Sequence, residues 1–269
     1  MKIKIKRLLS KTVGFFFKLR GARILYFHST HPYHPLAIHP DKFRRISELA
    51  LETGKEIITI AELGRRLREN LDIHNCISFT FDDGYADNID YALPILNDLN
   101  IKATFFIVAG LINDIQWVDD EADKKHHLYF GLPLMKKDDI RELSSIGMEI
   151  GSHGLSHRFM KHEKYEIVKS EILLSKFYLE KVIKKPVISF SFPNGEIPTF
   201  GKQLLEESGY LQAVSTIWGC VSYQSDLFCL PRQIVDYNMN EDDFKSIFLG
   251  KYDWLRLVQI IKNRVRHSK

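Results

Sequence analysis

The chain alternates short apolar runs with amphipathic segments over most of its length. Strand-like runs such as ILYF, ISFTF, ATFFIV and ISFSF are separated by stretches with apolar residues at helical spacing, for example FRRISELAL and YEIVKSEILL. Because strands that alternate with helices pair in parallel through crossover connections, this order predicts an α/β fold. The runs are apolar on both faces and number about seven, so we expect a closed or nearly closed (β/α) barrel of parallel strands.

The composition indicates a globular protein and argues against a nucleic-acid-binding one. Of 269 residues, 45% are hydrophobic and 27% charged. The net charge is only +4, and most basic residues are scattered singly, so no nucleic-acid partner is predicted. The three cysteines, Cys76, Cys220 and Cys229, have no CxxC spacing, which argues against a disulfide framework or a cysteine zinc site. With no export signal recognised, we expect a cytoplasmic location.

Both ends of the chain are basic and amphipathic. They divide it into a basic N-terminal segment, 1–22, a central domain, 23–250, and a basic C-terminal helix, 251–269. One interpretation is that the ends pack on the domain as terminal helices. The alternative is peripheral contact with the inner face of a membrane, because basic residues between apolar ones suit an anionic surface.

Two adjacent carboxylates end the strand-like run ISFTFDDG. Successive side chains on a strand point to opposite faces, so Asp82 and Asp83 can serve one site only if the backbone turns there. Gly84 permits such a turn. The alternative is that both aspartates are ordinary turn or cap residues.

Two histidines follow the next run that ends in polar residues, MEIGSHGLSH. His153 and His157 are four positions apart, and Gly154 between them favours a tight loop. Two imidazoles and one carboxylate can form an open triad that binds a divalent metal and leaves room for water and substrate. Asp83 is the expected third ligand, which would leave Asp82 free to act as a general base.

The motifs TFDDG, HGLSH and SFPNG, in this order, resemble those of the polysaccharide deacetylase family, the NodB-type carbohydrate esterases of family four. The resemblance covers about 24–250, and it implies a distorted (β/α) barrel that removes N-acetyl groups from amino sugars. By position, Asp82 matches the catalytic base, and the metal ligands match Asp83, His153 and His157. The resemblance implies zinc as the metal, with cobalt and nickel as alternatives.

The chain departs from the family pattern at the residue that holds the base. An arginine often begins the family's proline motif, but Ser191 occupies the matching place here. We expect Arg232, in LPRQIVD at the entrance of a late strand, to orient Asp82 instead, because a guanidinium can fork onto a carboxylate. The alternative for Arg232 is an ordinary surface ion pair.

A second departure concerns the general acid. The family often supplies a late histidine in an LxH context, but after Arg232 the sequence has only His267, in the tail. His28, which ends ILYFHS, resembles the early histidine of the branch that acts on poly-N-acetylglucosamine. We expect His28 to protonate the leaving amine. The alternative is a packing or supporting role.

Further residues are predicted to surround the substrate. The backbone N–H of Tyr85 is a candidate donor to the oxyanion, and Asp87 is expected to cap the next helix. The long interruption 111–137 sits where a loop would cover the site. The predicted groove wall consists of Pro193, Asn194, Gly195 and Trp218. For Trp218 the alternative is core packing, and the family's aspartate–tryptophan motif has no clear counterpart.

The expected function is therefore metal-dependent N-deacetylation of an amino sugar. The substrate would be an N-acetylated saccharide or a lipid-linked sugar, as in surface polysaccharide biosynthesis. A metal phosphohydrolase is one alternative, although a second set of metal ligands is lacking. A catalytically silent saccharide-binding protein of the same fold is the other.

Overall fold

A computed structural model describes residues 3–12, 14, 19–112 and 132–267. Its strands are β1 (Arg23–Phe27), β2 (Glu56–Ile57), β3 (Cys76–Phe81), β4 (Thr104–Ile107), β5 (Glu149–Ser152), β6 (Ser189–Ser191), β7 (Gln212–Val214) and β8 (Gln233–Ile234). Its helices are α1 (Ile3–Thr12), α2 (Pro40–Glu52), α3 (Ile60–Arg68), α4 (Leu93–Asp98), α5 (Lys137–Ser145), α6 (Tyr165–Ile183), α7 (Gly201–Glu207), α8 (Glu241–Phe248) and α9 (Leu255–His267). Most of the predicted covering loop, 113–131, lies outside the described residues.

The strands form one parallel sheet in the order β7-β6-β5-β4-β3-β1-β8, with β2 paired to the start of β3. The sheet curls until its two ends meet. Leu230 forms a bridge with Val214 of β7, and Gln233, three residues later, pairs with Leu25 of β1. A single segment of chain therefore joins the edges, and the predicted distorted barrel of about seven parallel strands is confirmed.

Strand β3 lies between β4 and β1 in this sheet. All six of its residues are buried, as expected for a parallel strand covered on both faces. Phe27, at the end of β1, stacks on Phe81 at 5.2 Å between ring centroids and meets Phe43 of α2 edge-on at 5.3 Å. Because β1 and β3 pair in register up to Phe27 and Phe81, the residues that follow them emerge together at one rim.

The terminal helix α1 packs on the domain. Arg7 forms an ion pair with the buried Asp243 of α8 at 2.7 Å, and the indole N–H of Trp254 donates to the Ser10 hydroxyl at 3.1 Å. The apolar side chains of Leu8 and Ile261 are nevertheless 65% and 62% exposed. Within the described residues, no helix is both long and apolar enough to cross a membrane. The division into 1–22, 23–250 and 251–269 stays a prediction.

Candidate active site

The chain turns sharply where β3 ends. The Asp82 N–H still donates to the Phe27 carbonyl at 3.0 Å, so Asp82 extends the parallel ladder by one residue. Asp83 then takes the left-handed conformation, with φ of 74°, and Gly84 follows with φ of 83°. Aspartate is among the few non-glycine residues that adopt this conformation readily. The turn lets neighbouring carboxylates face the same site.

Asp83, His153 and His157 come together as the sequence predicted. Asp83 Oδ1 lies 3.3 Å from His153 Nε2 and 3.4 Å from His157 Nε2. One ligand-type atom from each residue lies within 4.8 Å of the others, and all three residues are buried. The HGLSH segment is a loop, as Gly154 suggested, with φ of 79° at Gly154 and 60° at His157.

The orientation of His153 suits a metal ligand. Its Nδ1 lies 2.8 Å from the Ser191 carbonyl oxygen, which can only accept, so Nδ1 carries the proton. Nε2 then presents its lone pair toward Asp83, the arrangement that orients histidine ligands in metal sites. Two imidazoles and a carboxylate within this distance of one another fit a divalent cation such as zinc.

The charges at this cluster favour a cation. Burial raises the pKa of Asp83, but the contact with His153, which becomes a hydrogen bond when Nε2 is protonated, and the nearby His28 and His157 outweigh burial and hold that pKa below its ordinary value. Burial lowers the pKa of His153, but the negative charges of Asp82 and Asp83 outweigh burial, so the pKa of His153 is raised overall. A cluster that attracts a proton in this way also attracts a divalent metal.

Asp82 is held by a buried bidentate ion pair. Arg232 Nη1 donates to Asp82 Oδ1 at 2.8 Å, and Arg232 Nη2 donates to Oδ2 at 2.7 Å. Arg232 is only 1% exposed, so the surface ion-pair alternative is wrong. The guanidinium also donates to the Ser215 carbonyl at 2.9 Å and the Ser191 hydroxyl at 3.1 Å, and it lies 4.5 Å from the Tyr26 ring.

This pairing sets the protonation state of Asp82. Burial raises the pKa of Asp82, but the charge of Arg232, followed by His153, outweighs it and lowers that pKa below its ordinary value. The carboxylate is therefore ionised at neutral pH and able to accept a proton. Ser191, the position at which the resemblance predicted an arginine, accepts a hydrogen bond from this guanidinium at its hydroxyl.

His28 lies at the same rim as the carboxylates. It follows β1, is partly buried, and its charge lowers the pKa of both Asp82 and Asp83. The Asn88 side-chain amide donates to the His28 carbonyl at 2.7 Å. The Ser29 hydroxyl donates to Asp87. Two side chains of the next segment therefore anchor the backbone that carries His28.

Asp87 does not cap the following helix, so that prediction is wrong. Its backbone is already helical, and its carboxylate makes no capping hydrogen bond. Instead, it lies buried against Ser29, and this burial raises the pKa of Asp87 to about 7 in spite of the hydroxyl.

Three of the four predicted groove residues lie together in one turn. Pro193, Asn194 and Gly195 form a tight turn directly after β6, beside the HGLSH loop. Gly195 has φ of 70°, and a Cβ there would come within 2.1 Å of the Thr216 hydroxyl, so the turn requires glycine. Tyr85 is buried directly after Gly84 and bridges to Leu134.

Trp218 lies apart from these residues. It is 8% exposed, its ring lies 6.3 Å from the Tyr252 ring, and its backbone N–H donates to the Gln259 side chain of α9 at 2.7 Å. This packing favours the core alternative. The role of Trp218 in substrate binding stays a prediction.

Glu171, which was not predicted from the sequence, fixes the histidine loop. Glu171 lies on the buried side of α6, and its Oε2 accepts the backbone N–H groups of Leu155 at 2.8 Å and Ser156 at 2.9 Å. A glutamate on an otherwise apolar helix face was the available signal, since buried carboxylates require partners.

Comparisons with known proteins agree with this geometry. The polysaccharide deacetylase family profile matches residues 72–213, more than half of the chain. YxkH of Bacillus subtilis, whose own assignment as a polysaccharide deacetylase is provisional, is 25% identical over 222 residues, which cover 82% of this chain and 74% of YxkH. A peptidoglycan-N-acetylglucosamine deacetylase of Bacillus cereus is 27% identical over 53% of this chain and 56% of that protein.

Among solved structures, the Streptococcus pyogenes deacetylase PplD, in complex with acetate, superposes with a TM-score of 0.72. It is 23% identical, and the match covers 85% of this chain and 97% of PplD. The profile match and the shared fold lead to one conclusion: the chain belongs to the polysaccharide deacetylase family. Members of this carbohydrate deacetylase family act on N-acetyl groups.

Replacing Arg232 with glutamine should move the pH dependence of activity. Without the guanidinium, burial raises the pKa of Asp82, so the acid limb of the kcat/KM profile should shift to higher pH. Leaving Asp82 buried and unpaired should also lower the free energy of unfolding by about 3–5 kcal/mol. Arg232→Lys, which keeps the charge without the fork, should give an intermediate shift.

A matched control for this change is Arg44→Gln. Arg44 is 39% exposed and pairs with the exposed Asp98, so its loss should cost about 0–1 kcal/mol and leave the pH profile in place. A folded Arg232→Gln protein with an unshifted acid limb would contradict the role given to Arg232.

Asp87→Asn should remove part of the pH dependence of stability. The folded-state pKa of about 7 lies above the ordinary 3.8, so the folded protein holds this proton more tightly than the unfolded chain. The resulting stabilisation is complete below about pH 4 and is lost as pH rises through about 7. Asparagine resembles the protonated carboxyl, so the variant should lack this decline in urea denaturation between those values.

The control for Asp87 is Asp98→Asn. Asp98 is 61% exposed, and its change should leave the wild-type decline intact. Parallel stability curves for wild type and Asp87→Asn across this range would show that Asp87 does not hold the proton.

Proposed function

We propose that this protein is a metal-dependent hydrolase that removes the N-acetyl group from an amino sugar. The observation that carries the proposal is an ionised, buried carboxylate, Asp82, fixed by Arg232 directly beside Asp83, His153 and His157. A base next to a cluster able to hold a cation is the combination that amide hydrolysis by water needs. Family membership supports the N-acetyl group as the target.

The metal would be held by Asp83 Oδ1 and by the Nε2 atoms of His153 and His157. We propose zinc, with cobalt and nickel as alternatives, because zinc takes nitrogen and oxygen ligands and its catalytic sites use three protein ligands. When bound, a divalent metal at such a site supplies activation of water and polarisation of the substrate carbonyl.

The protein's own residues supply the proton transfers. Asp82 accepts the proton of the attacking water, and Arg232 holds its carboxylate in place without competing for that proton, since a guanidinium stays charged. The backbone N–H of Tyr85 contributes to binding the oxyanion. His28 donates a proton to the departing nitrogen as the C–N bond breaks, which releases acetate and a free amine. The turn 193–195 bounds the substrate groove.

The substrate in this proposal is an N-acetylated amino sugar within a saccharide or a lipid-linked intermediate of surface polysaccharide biosynthesis. Similarity to a peptidoglycan-N-acetylglucosamine deacetylase supports the sugar class. We place the protein in the cytoplasm, with peripheral contact to the inner face of the membrane. The basic ends and the exposed apolar side chains of Leu257, Ile260 and Ile261 on α9 support this contact.

The variants Asp82→Asn and His153→Ala should distinguish the role of the base from the role of the metal ligands. Asp82→Asn should retain the metal yet lose at least about a hundredfold in kcat, because asparagine cannot accept the proton. His153→Ala should lose both metal and activity, because it removes a ligand. Metal content is measured by elemental analysis, and acetate release is measured on N-acetylated oligosaccharides.

Thr216→Ser serves as the control, since it keeps the hydroxyl beside the Gly195 turn while changing neither cluster. Full acetate release by Asp82→Asn would refute the role of the base. Absence of acetate release by the zinc-loaded wild type on all substrates would favour the silent binding protein, and phosphate ester cleavage would favour the phosphohydrolase.

Neutralising the C-terminal helix should weaken membrane contact. Replacement of Lys262, Arg264 and Arg266 by glutamine removes three positive charges from α9. The wild type should sediment with phosphatidylglycerol vesicles at low salt, and the variant should bind less by at least about fivefold. Equal sedimentation of both proteins, or none by the wild type, would reject contact through this end.

A further inference from the structure

A polar cavity lies at the opposite end of the barrel from Asp82. Its volume is about 420 Å³, and it is bounded by the start of β1, the turn after α2, the loop before β3 and the end of α8. Arg23 begins β1, and His28 follows the other end of that strand. Five residues of strand at about 3.3 Å each separate the two positions by about 16 Å. The cavity is therefore distinct from the candidate active site.

Basic side chains dominate the lining. Arg20, Arg23, Lys55 and His74 contribute to it, and no acidic residue occurs among the described residues that line it. Lys55 Nζ donates to the His74 carbonyl at 3.3 Å, which places these two residues side by side at the wall. The other lining residues carry no ionisable side chain: Leu19, Gly21, Thr53, Asn75, Phe248 and Leu249. Every ionisable group that the structure places at this cavity is therefore basic.

Arg23 is the most unusual of these groups, because it is charged and only 3% exposed. Its Nη2 donates to Asp253 at 2.8 Å and to the Leu19 carbonyl at 3.0 Å, and its Nε donates to the Ile247 carbonyl at 3.4 Å. These contacts fix the guanidinium from one side. Its Nη1 is buried and has no hydrogen-bond partner.

A buried donor without a partner is costly, by about 1–3 kcal/mol and more when the group is charged. Burial lowers the pKa of Arg23, and the opposing effect of Asp253 does not restore it. Burial also raises the pKa of Asp253, and the opposing effect of Arg23 does not restore that one. The ion pair alone thus does not compensate for removing these charges from water. An anion in the cavity would add acceptors and negative charge beside Arg23 and the other basic side chains of the lining.

We propose that this cavity binds a phosphate group, either of a small phosphorylated molecule or of a lipid headgroup. Phosphate offers several acceptor oxygens and up to two negative charges, which match two guanidinium groups and one ammonium group around one space. Arg23 is the buried basic side chain of the lining, and Arg20, Lys55 and His74 are the more exposed ones.

The first experiment titrates the full-length protein with inorganic phosphate and then with pyrophosphate at constant ionic strength. Binding is followed by isothermal titration calorimetry and by ³¹P line broadening. The Arg20→Gln/Lys55→Gln variant should bind at least about tenfold more weakly, because it loses two charged donors. Both side chains lie away from the buried core, so the fold should persist, and deacetylation without phosphate should be unchanged.

The matched control is Arg44→Gln/Lys202→Gln, which removes the same charge from exposed ion pairs elsewhere. It should keep wild-type phosphate affinity. Equal weakening in the control and in the cavity variant would overturn the proposal, because the effect would then follow net charge. Two results together would also overturn the proposal. The wild type would bind neither phosphate nor pyrophosphate, and the wild type and the Arg20→Gln/Lys55→Gln variant would bind vesicles equally.

The second experiment distinguishes the two sources of phosphate. Wild type and cavity variant are sedimented with phosphatidylglycerol vesicles and with phosphatidylcholine vesicles, with and without pyrophosphate. Loss of vesicle binding in the variant, and competition by pyrophosphate, would support a lipid headgroup. Vesicle binding that is absent or unchanged in the variant, combined with variant-sensitive binding of free phosphate, would support a small phosphorylated molecule.

Discussion

The bidentate ion pair between Arg232 and Asp82 is the interaction on which the site depends. Two charges with almost no exposure are stable together only when their geometry is close to ideal and their other hydrogen-bonding groups are satisfied. The fork contact, the Ser215 carbonyl and the Ser191 hydroxyl meet that requirement. Arg232 belongs to the segment that joins β7 to β1, so the pair forms only where the barrel closes. The same segment therefore closes the barrel and holds the base in place.

The metal-binding cluster could be predicted from the sequence because its information is local. Asp82 and Asp83 end an apolar run, a glycine follows them, and His153 and His157 are four positions apart around another glycine. Parallel strands carry such residues to one rim whatever the detailed twist of the sheet. The same rule explains why the barrel was predictable from the order of strands and helices, whereas the packing of Trp218 was not.

Residues that support the site from a distance were not predictable in this way. Glu171 acts on a loop 15 and 16 positions earlier, and Asp87 meets Ser29 across 58 positions. The periodicity of the sequence does not predict such contacts, because they depend on the position at which each helix packs along the sheet. The start of helix α3 did carry a local signal, Thr59 with Glu62 three residues later, and the Thr59 hydroxyl accepts the Glu62 N–H in the structure.

The position of Arg232 affects how the sequence motifs of such a chain should be interpreted. A scan of aligned motif positions would register Ser191 as a lost arginine and group the chain with degenerate members. In three dimensions a guanidinium from Arg232 touches both the carboxylate and the serine that marks the apparent loss. A charge that is absent from one motif position can therefore be supplied at the same point in space by another segment, so sorting deacetylases into active and silent proteins requires the three-dimensional site as well as the motif.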